Sequence, residues 1–301
     1  MSEQQPAPDA DGAAHVVAPS ACHGATPVGE PSDLTEPVRR FVCSVRTMAF
    51  ASLASFVLVL WVFTRTARAQ VWDERGRMST GASARAWVHI VDPLTYITIG
   101  SVATLLAAFV VIGLARQRAG LALAAILVVG GANVTTQLFK AYWPTSPPLW
   151  DNSLPSGHST VAMSLSLAAI LVAPSGARRW LVPFAAFGAT FVGAGTIVGH
   201  WHRPADVWAA FLVCLLWSAG AIGLVLKLQL RRHTRDAKYA LRPAAGVVGS
   251  MTAGLIFVGL GVRPLDADLK LAEAIVALGV TGLLAAFVVA WVSAAADDNL
   301  G

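Results

Sequence analysis

The sequence predicts an all-α polytopic membrane protein, folded as a bundle of membrane-spanning helices. Of its 301 residues, 55% are hydrophobic and only 13% are charged, whereas soluble domains carry about 25% charged residues. Eight uncharged runs of about 18 to 26 residues separate the charges, close to the ~20 residues that a helix needs to cross the hydrocarbon core. These observations exclude disorder over most of the chain and argue against a water-soluble globule.

Each uncharged run is interpreted as one membrane span, so the sequence predicts eight. The residues before the first span show no basic region followed by an apolar stretch, so the first span is expected to serve as an uncleaved anchor. The loop before the second span is long enough to carry an interfacial helix around residues 82–90. The predicted spans are residues 48–64, 93–114, 121–139, 159–174, 180–198, 205–226, 244–262 and 271–292.

The segments between the spans divide the chain into four parts. Residues 1–37 nearly lack large apolar side chains and are rich in Ala, Pro, Ser and Gly, which predicts a disordered tail. Residues 38–228 contain the first six spans, residues 229–243 form a basic linker, and residues 244–301 add the last two spans. More Lys and Arg residues lie in loops on the N-terminal side than on the other side, which predicts cytoplasmic termini.

The composition also excludes several classes of function. Cys22, Cys43 and Cys214 form no CxxC pair, so neither a disulfide framework nor a cysteine zinc site is expected. No basic stripe with interleaved aromatic residues indicates nucleic-acid binding. The Ala-rich composition, with Arg favoured over Lys, is typical of a bacterium, which predicts a location in the cytoplasmic membrane.

Two loops, both predicted on the outer side of the membrane, contain the ionisable residues that could perform chemistry. Polar groups close to a bilayer are energetically costly and indicate a functional site. These residues are Lys140, Asp151 and His158 between the third and fourth spans, and His200, His202, Arg203 and Asp206 between the fifth and sixth.

The first candidate motif is Pro155-Ser156-Gly157-His158, directly before an apolar helix. Gly157 lets the backbone approach a ligand closely, and the N–H groups and dipole at a helix start favour an anion. Ser156 adds a hydroxyl donor, and His158 can act as a general acid. The alternative interpretation is an ordinary helix cap followed by an interfacial histidine.

The second candidate motif contains His202 and Asp206, which are four residues apart and can share one face of a helix start. An Asp that accepts from one imidazole nitrogen leaves the other nitrogen available as a nucleophile. His200 is a weaker candidate because the residue four positions later is Pro204, which cannot orient it. The alternative interpretation is an interfacial polar cap.

Together these residues resemble the type 2 phosphatidic acid phosphatase / haloperoxidase family. The three motifs of that family are a Lys followed by Arg-Pro, the tetrapeptide Pro-Ser-Gly-His, and a Ser-Arg pair followed by His-x-x-x-Asp. They correspond here to Lys140 with its Pro-rich loop, to residues 155–158, and to His202 with Asp206. The resemblance covers about residues 47–227 and implies a six-helix phosphatase-like core with two appended helices.

The resemblance implies a metal-independent phosphatase without a cofactor, acting on a membrane lipid. His202 would form a phosphohistidine, Asp206 would orient it, and His158 would protonate the leaving oxygen. The implied substrates are a polyprenyl pyrophosphate, phosphatidic acid or phosphatidylglycerol phosphate. The residues implied to bind the phosphate oxygens are Lys140, Ser156, Gly157 and Arg203.

Two arginines of the family pattern are absent from this chain. No arginine follows Lys140 in the loop around Thr145 and Ser146, and Thr196 stands where the third motif has its arginine. A guanidinium grips phosphate oxygens in a bidentate way that threonine cannot reproduce. The absence predicts weaker catalysis, with Arg203 as a partial substitute.

Two other functions stay open at this point. A non-catalytic protein that binds lipid phosphate would also fit the missing arginines. A transporter would require charges or broken helices near the middle of the membrane, whereas the charges here lie at the ends of the spans.

Overall fold

The computed structural model describes residues 32–145, 149, 151–229, 243–265 and 267–300. Most of the predicted tail and linker lies outside these residues. Residues 1–39 and residues 40–301 are separate units, and the second contains the candidate site. The helices and strands are α1 (Ser32–Arg65), α2 (Ala67–Arg77), β1 (Thr80–Ala82), α3 (Ala84–Ala86), α4 (Ile99–Ala115), α5 (Ala119–Ile126), α6 (Ala132–Tyr142), α7 (Gly157–Val172), α8 (Ser175–Val198), α9 (Pro204–Gln229), α10 (Pro243–Leu260), β2 (Val262–Pro264) and α11 (Ala267–Leu300).

The described chain is a helical bundle, which confirms the predicted fold class and a multi-pass membrane protein. All eight predicted spans fall on helices, but only six of these helices are long and apolar enough to cross a membrane alone. α4 follows the helical segment Ala84–Tyr96 with a 69° bend, and counting this pair as one span gives seven. α7, at the fourth predicted span, has only 16 residues.

The loop between the first two predicted spans contains more structure than expected. α2 occupies residues for which the sequence predicts a loop. The helix predicted around residues 82–90 is present from Ala84 onward as α3, which continues through a π-helical turn (Trp87–Val91) and a 3₁₀ turn (Asp92–Tyr96). Its interfacial position stays a prediction. The chain is therefore largely helical between α1 and α4.

Local sequence explains where the helices around the candidate site begin and end. The Ser156 hydroxyl oxygen accepts a hydrogen bond from the Ser159 amide and so caps α7. Pro204 begins α9, in the first helical turn, where its missing N–H costs nothing. α5 and α6 are joined by a π-helical turn (Leu127–Gly131) into one span of 24 residues, Ala119–Tyr142.

The protein core lies along α7, α8 and α9, whose facing sides are lined by buried apolar residues. Large apolar side chains on other helices point outward, among them Phe50, Ile99, Leu255 and Phe287. Such exposure is costly in water but is expected where lipid chains are the solvent.

The last two helices pack directly on the core. Trp208 of α9 donates a hydrogen bond to Thr281 of α11 at 3.0 Å. At the end of α8 farthest from the candidate site, Arg178 pairs with Asp297 of α11 at 3.1 Å. At the other end, β1 and β2 pair in antiparallel register, with Gly81 opposite Arg263.

Candidate active site

Polar contacts join α6 to α7. The hydroxyl groups of Thr136 and Thr160 lie 2.9 Å apart, and the Asn133 amide reaches Ser164 at 3.4 Å. Because residues 133, 136, 137 and 140 lie on one side of a helix, these contacts turn Lys140 toward the start of α7. A Cβ atom built on Gly157 would lie 3.7 Å from Lys140 Nζ and 3.8 Å from Gln137 Nε2.

Ser156 is fully buried and holds the start of α7 in two ways. Its hydroxyl oxygen accepts from the Ser159 amide at 3.3 Å, and its own amide donates to the Asp206 carbonyl at 2.8 Å. The second bond fastens the Pro155–His158 motif to the beginning of α9. Ser156 therefore acts as a helix cap in this structure, which was the alternative interpretation of its role.

His202 and Asp206 form the pair that their spacing predicts. His202 Nδ1 lies 3.1 Å from Asp206 Oδ2, which also accepts from the Ser153 hydroxyl at 2.6 Å and the Arg203 amide at 3.0 Å. The Asp206 side chain is fully buried, and that of His202 is 11% exposed. With Nδ1–H donating to the carboxylate, Nε2 of His202 carries a lone pair available to a substrate.

The structure places His158 beside this pair. The ring centroids of His158 and His202 are 6.3 Å apart, and those of His158 and Trp201 are 5.4 Å apart. Lys140 and His202 also interact electrostatically with His158. The four predicted groups Lys140, Gly157, His158 and His202 therefore converge where the ends of α6, α7 and α8 meet.

His200 faces away from this cluster. Its φ of +59° lies in the left-handed region, which is unusual for a side chain other than glycine. Nε2 of His200 is 2.8 Å from the Thr80 carbonyl, and Arg77 donates to the His200 carbonyl at 2.8 Å. These contacts hold His200 against β1 and α2, as expected for a residue that is not the nucleophile.

Arg203 turns toward α2 rather than toward Lys140. Nε of Arg203 donates to Glu74 at 2.9 Å, and Nη1 donates to the Ser153 hydroxyl at 3.1 Å. Through Ser153, its guanidinium is connected to Asp206. Thr196, at the position of the missing family arginine, is fully buried and donates to the Gly193 carbonyl of its own helix.

Three charged residues of α2 adjoin this site but belong to neither predicted motif: Asp73, Glu74 and Arg77. Glu74 pairs with Arg77 and with Arg203, and Asp73 accepts from the Ala205 amide at 2.9 Å. The available signal was four ionisable residues within five positions, 73–77, in a protein with few charges, on the predicted outer side. A loop assignment hid their shared helical face.

This packing shifts the pKa values of the two α2 carboxyl groups, Asp73 and Glu74, in opposite directions. Burial raises the pKa of Asp73 well above its usual value, and the nearby charge of Asp206 raises it further. Burial opposes ionisation of Glu74 as well, but hydrogen bonds from Arg77 and Arg203 outweigh it and lower its pKa. Within the described residues, no group of three His, Cys, Asp or Glu side chains could hold a metal ion.

The fold and site define a polytopic helical membrane protein with a buried His–Asp pair beside a second histidine and a lysine. Residues 119–230 match the PAP2 superfamily. This confirms the predicted resemblance for the segment that carries all three motifs, and it indicates phosphatase activity on phosphate esters. The match is narrower than the predicted 47–227, and α2 lies outside it. No curated protein and no solved structure matches the chain.

Proposed function

We propose that this protein hydrolyses a phosphate ester or anhydride of a membrane lipid through a phosphohistidine intermediate. The observation that carries the proposal is the buried His202–Asp206 pair, with Nδ1 and Oδ2 3.1 Å apart and His158 alongside. A fixed tautomer with its other nitrogen available is what a histidine nucleophile requires.

The proposed reaction has two steps. Nε2 of His202 attacks phosphorus, the bond to the leaving oxygen breaks, and His158 gives its proton to that oxygen. In the second step His158 accepts a proton from water, the water oxygen attacks phosphorus, and inorganic phosphate leaves His202. The products are the dephosphorylated lipid and phosphate, and both histidines return to their starting states.

The proposed binding of the phosphate uses positive charge and backbone donors. Lys140, the amides at the start of α7 and the dipole of that helix would bind its oxygens. Ser156 and Arg203 remain proposed contributors, although each is engaged elsewhere in this structure. The lipid class is supported by the position of the site at the ends of apolar helices, on the proposed outer face of a bacterial cytoplasmic membrane.

A second candidate function is a lipid-phosphate-binding protein with little or no turnover. Thr196 favours it, because a buried hydroxyl bonded to its own helix cannot replace an arginine at the phosphate. Removing one hydrogen-bond donor that stabilises the charge of the transition state lowers the rate about 10²–10³-fold.

The experiment is phosphate release by purified protein in detergent, without added metal. The substrates are a polyprenyl pyrophosphate, phosphatidic acid and phosphatidylglycerol phosphate. The variants are His202→Ala and, as a matched control, His89→Ala, which changes an exposed histidine. Release from one lipid, together with acid-labile phosphate on the protein, should disappear in His202→Ala and persist in the control. Lipid binding without release by the wild type would favour the second candidate.

A further inference from the structure

Helix α2 contacts the segment around His202 at four points. Arg77 donates to the His200 carbonyl, Glu74 pairs with Arg203, and Asp73 accepts from the Ala205 amide. At the fourth point, a Cβ on Gly76 would come within 2.8 Å of the Pro204 side chain, so the two backbones approach closely there. A helix outside the matched segment therefore supports the segment that carries the proposed nucleophile.

Among these contacts, the one made by Asp73 supplies a hydrogen-bond acceptor to the first turn of α9. The first amides of a helix have no partner within the helix and need an acceptor. The residue before Pro204 is Arg203, whose side chain has no acceptor atom. Asp73 Oδ1 accepts from the Ala205 amide at 2.9 Å, and Asp73 is 2% exposed. Asp73 thus acts as the cap of α9 from a different helix.

The capped turn also carries the residue that orients His202. Asp206 directly follows Ala205, and its Oδ2 atom contacts His202 Nδ1. We propose that Asp73 is a positioning residue for the His202–Asp206 pair, holding the first turn of α9 in register with the nucleophile; this inference rests on the function proposed above. A displacement of about 1 Å at a reacting group can cost 10²-fold in rate.

The charges around Asp73 allow it to cap α9 in its protonated, neutral form. Asp206 and Arg203 face it from the start of α9, and Glu74 is its neighbour on α2. The raised pKa of Asp73 favours its protonated form, in which Oδ1 can still accept from the Ala205 amide while Asp206 keeps the negative charge beside His202.

The test compares Asp73→Asn with Asp73→Ala. Asn keeps an acceptor oxygen at the same place and resembles the neutral acid, whereas Ala removes the acceptor. We expect Asp73→Asn to keep kcat within about threefold and to leave the pH profile unchanged. Asp73→Ala should lower kcat by about 10- to 100-fold with KM within about threefold. Thr98→Ala, which removes an exposed cap from α4, should change neither constant.

Two results would overturn the inference. The first is a loss of kcat in Asp73→Asn as large as that in Asp73→Ala, because Asn keeps the cap. The second is an unchanged kcat in a folded Asp73→Ala protein. If Asp73→Ala does not fold, Asp73→Leu fills the same space without an acceptor and takes its place. If neither folds, Asp73→Asn is the remaining test, and a kcat lowered by more than about threefold or a changed pH profile would overturn the inference.

A binding measurement separates this inference from the proposed function. Orthovanadate mimics phosphorus bonded to a histidine nitrogen, so its affinity reports the position of His202 even without turnover. If the wild type binds vanadate but releases no phosphate, the proposed function fails while the inference is still tested. Asp73→Ala should then weaken vanadate binding at least about tenfold, and Asp73→Asn should not. Equal affinities in all three proteins, or no vanadate binding by an inactive wild type, would overturn the inference.

Discussion

At the scale of single residues, the proposed mechanism gives His158 a role that depends on the substrate. An alkoxide leaving group needs a proton as its bond to phosphorus breaks, whereas a nitrophenolate does not. His158→Ala should therefore lower kcat/KM for a lipid phosphate by about 10²–10⁴ and for p-nitrophenyl phosphate by less than about tenfold. The measurement is steady-state hydrolysis of both substrates. The reference is His202→Ala, which should lose activity on both. Equal losses on the two substrates would contradict the acid role of His158.

Gly157 tests the proposed approach of phosphate to the α7 backbone. An added Cβ would make ordinary contacts with Lys140 Nζ and Gln137 Nε2, so Gly157→Ala should fold normally. The methyl group would occupy the space through which a phosphate oxygen reaches the α7 amides. We expect a loss of kcat/KM of about tenfold or more, with a thermal midpoint within about 2 °C of wild type. Activity and thermal unfolding would be measured on the same preparation.

The matched control for this change is Gly176→Ala in the first turn of α8, where an added Cβ meets nothing within 4 Å. It should leave both activity and thermal midpoint unchanged. If Gly157→Ala also keeps full activity, phosphate does not approach the backbone at this position.

The site residues divide into those that local sequence can predict and those that it cannot. His158, His202 and Asp206 lie in two short motifs whose spacing fixes their geometry, and the structure brings them together. Asp73 reaches Ala205 across 132 positions of sequence. No local pattern encodes such a contact, because it depends on how α2 docks against α9.

At the scale of helices, Glu74 connects α2 to the start of α9 through Arg203. Its lowered pKa means that the folded state stabilises the ionised carboxylate. This contribution to stability is present above the ordinary pKa of 4.5 and is lost as the pH falls through the lower pKa of the folded state. Acid should therefore weaken the attachment of α2.

Glu74→Gln tests this pH dependence. At neutral pH the variant should unfold about 3 °C or more below wild type, since bonds to a charged acceptor are lost. The difference should shrink below about pH 4.5. Thermal unfolding in detergent from pH 8 to pH 3 measures both effects. Glu273→Gln is the control, because the ion pairs of the described residues do not include Glu273. At neutral pH it should unfold within about 1 °C of wild type. A Glu74→Gln difference that is constant with pH would contradict the ion-pair role.

The helices themselves were largely predictable from the uncharged runs. Charged side chains are costly inside the bilayer, so they lie in the loops between the spans. α7 has 16 residues, as many as the predicted span 159–174, but begins two residues earlier because Ser156 caps it. One detail was not predictable. The bend before α4 follows Pro93 and the Thr98 capping box, which starts a new helix in a new direction.

At the scale of the whole molecule, the last two helices are attached to the core at both ends of the bundle. β1 and β2 pair at the end that carries the candidate site. At the opposite end, Asp297 of α11 pairs with Arg178, whose side chain is fully buried and also donates to the Ile170 carbonyl. α8 has 24 residues and is therefore about 36 Å long, so the two attachments lie near opposite ends of it.

The Arg178–Asp297 pair should therefore control stability without affecting chemistry. Asp297→Asn leaves a buried guanidinium without its counter-charge, which costs about 3–5 kcal/mol and lowers the thermal midpoint by about 10 °C. At temperatures well below unfolding, kcat should stay within about twofold of wild type, because the candidate site lies at the other end of α8. Arg178→Met/Asp297→Leu removes both charges and should recover most of the lost stability. Asp92→Asn, at an exposed carboxylate, is the control and should unfold like wild type. An Asp297→Asn protein that unfolds at the wild-type temperature would show that α11 is held to the core by apolar packing alone.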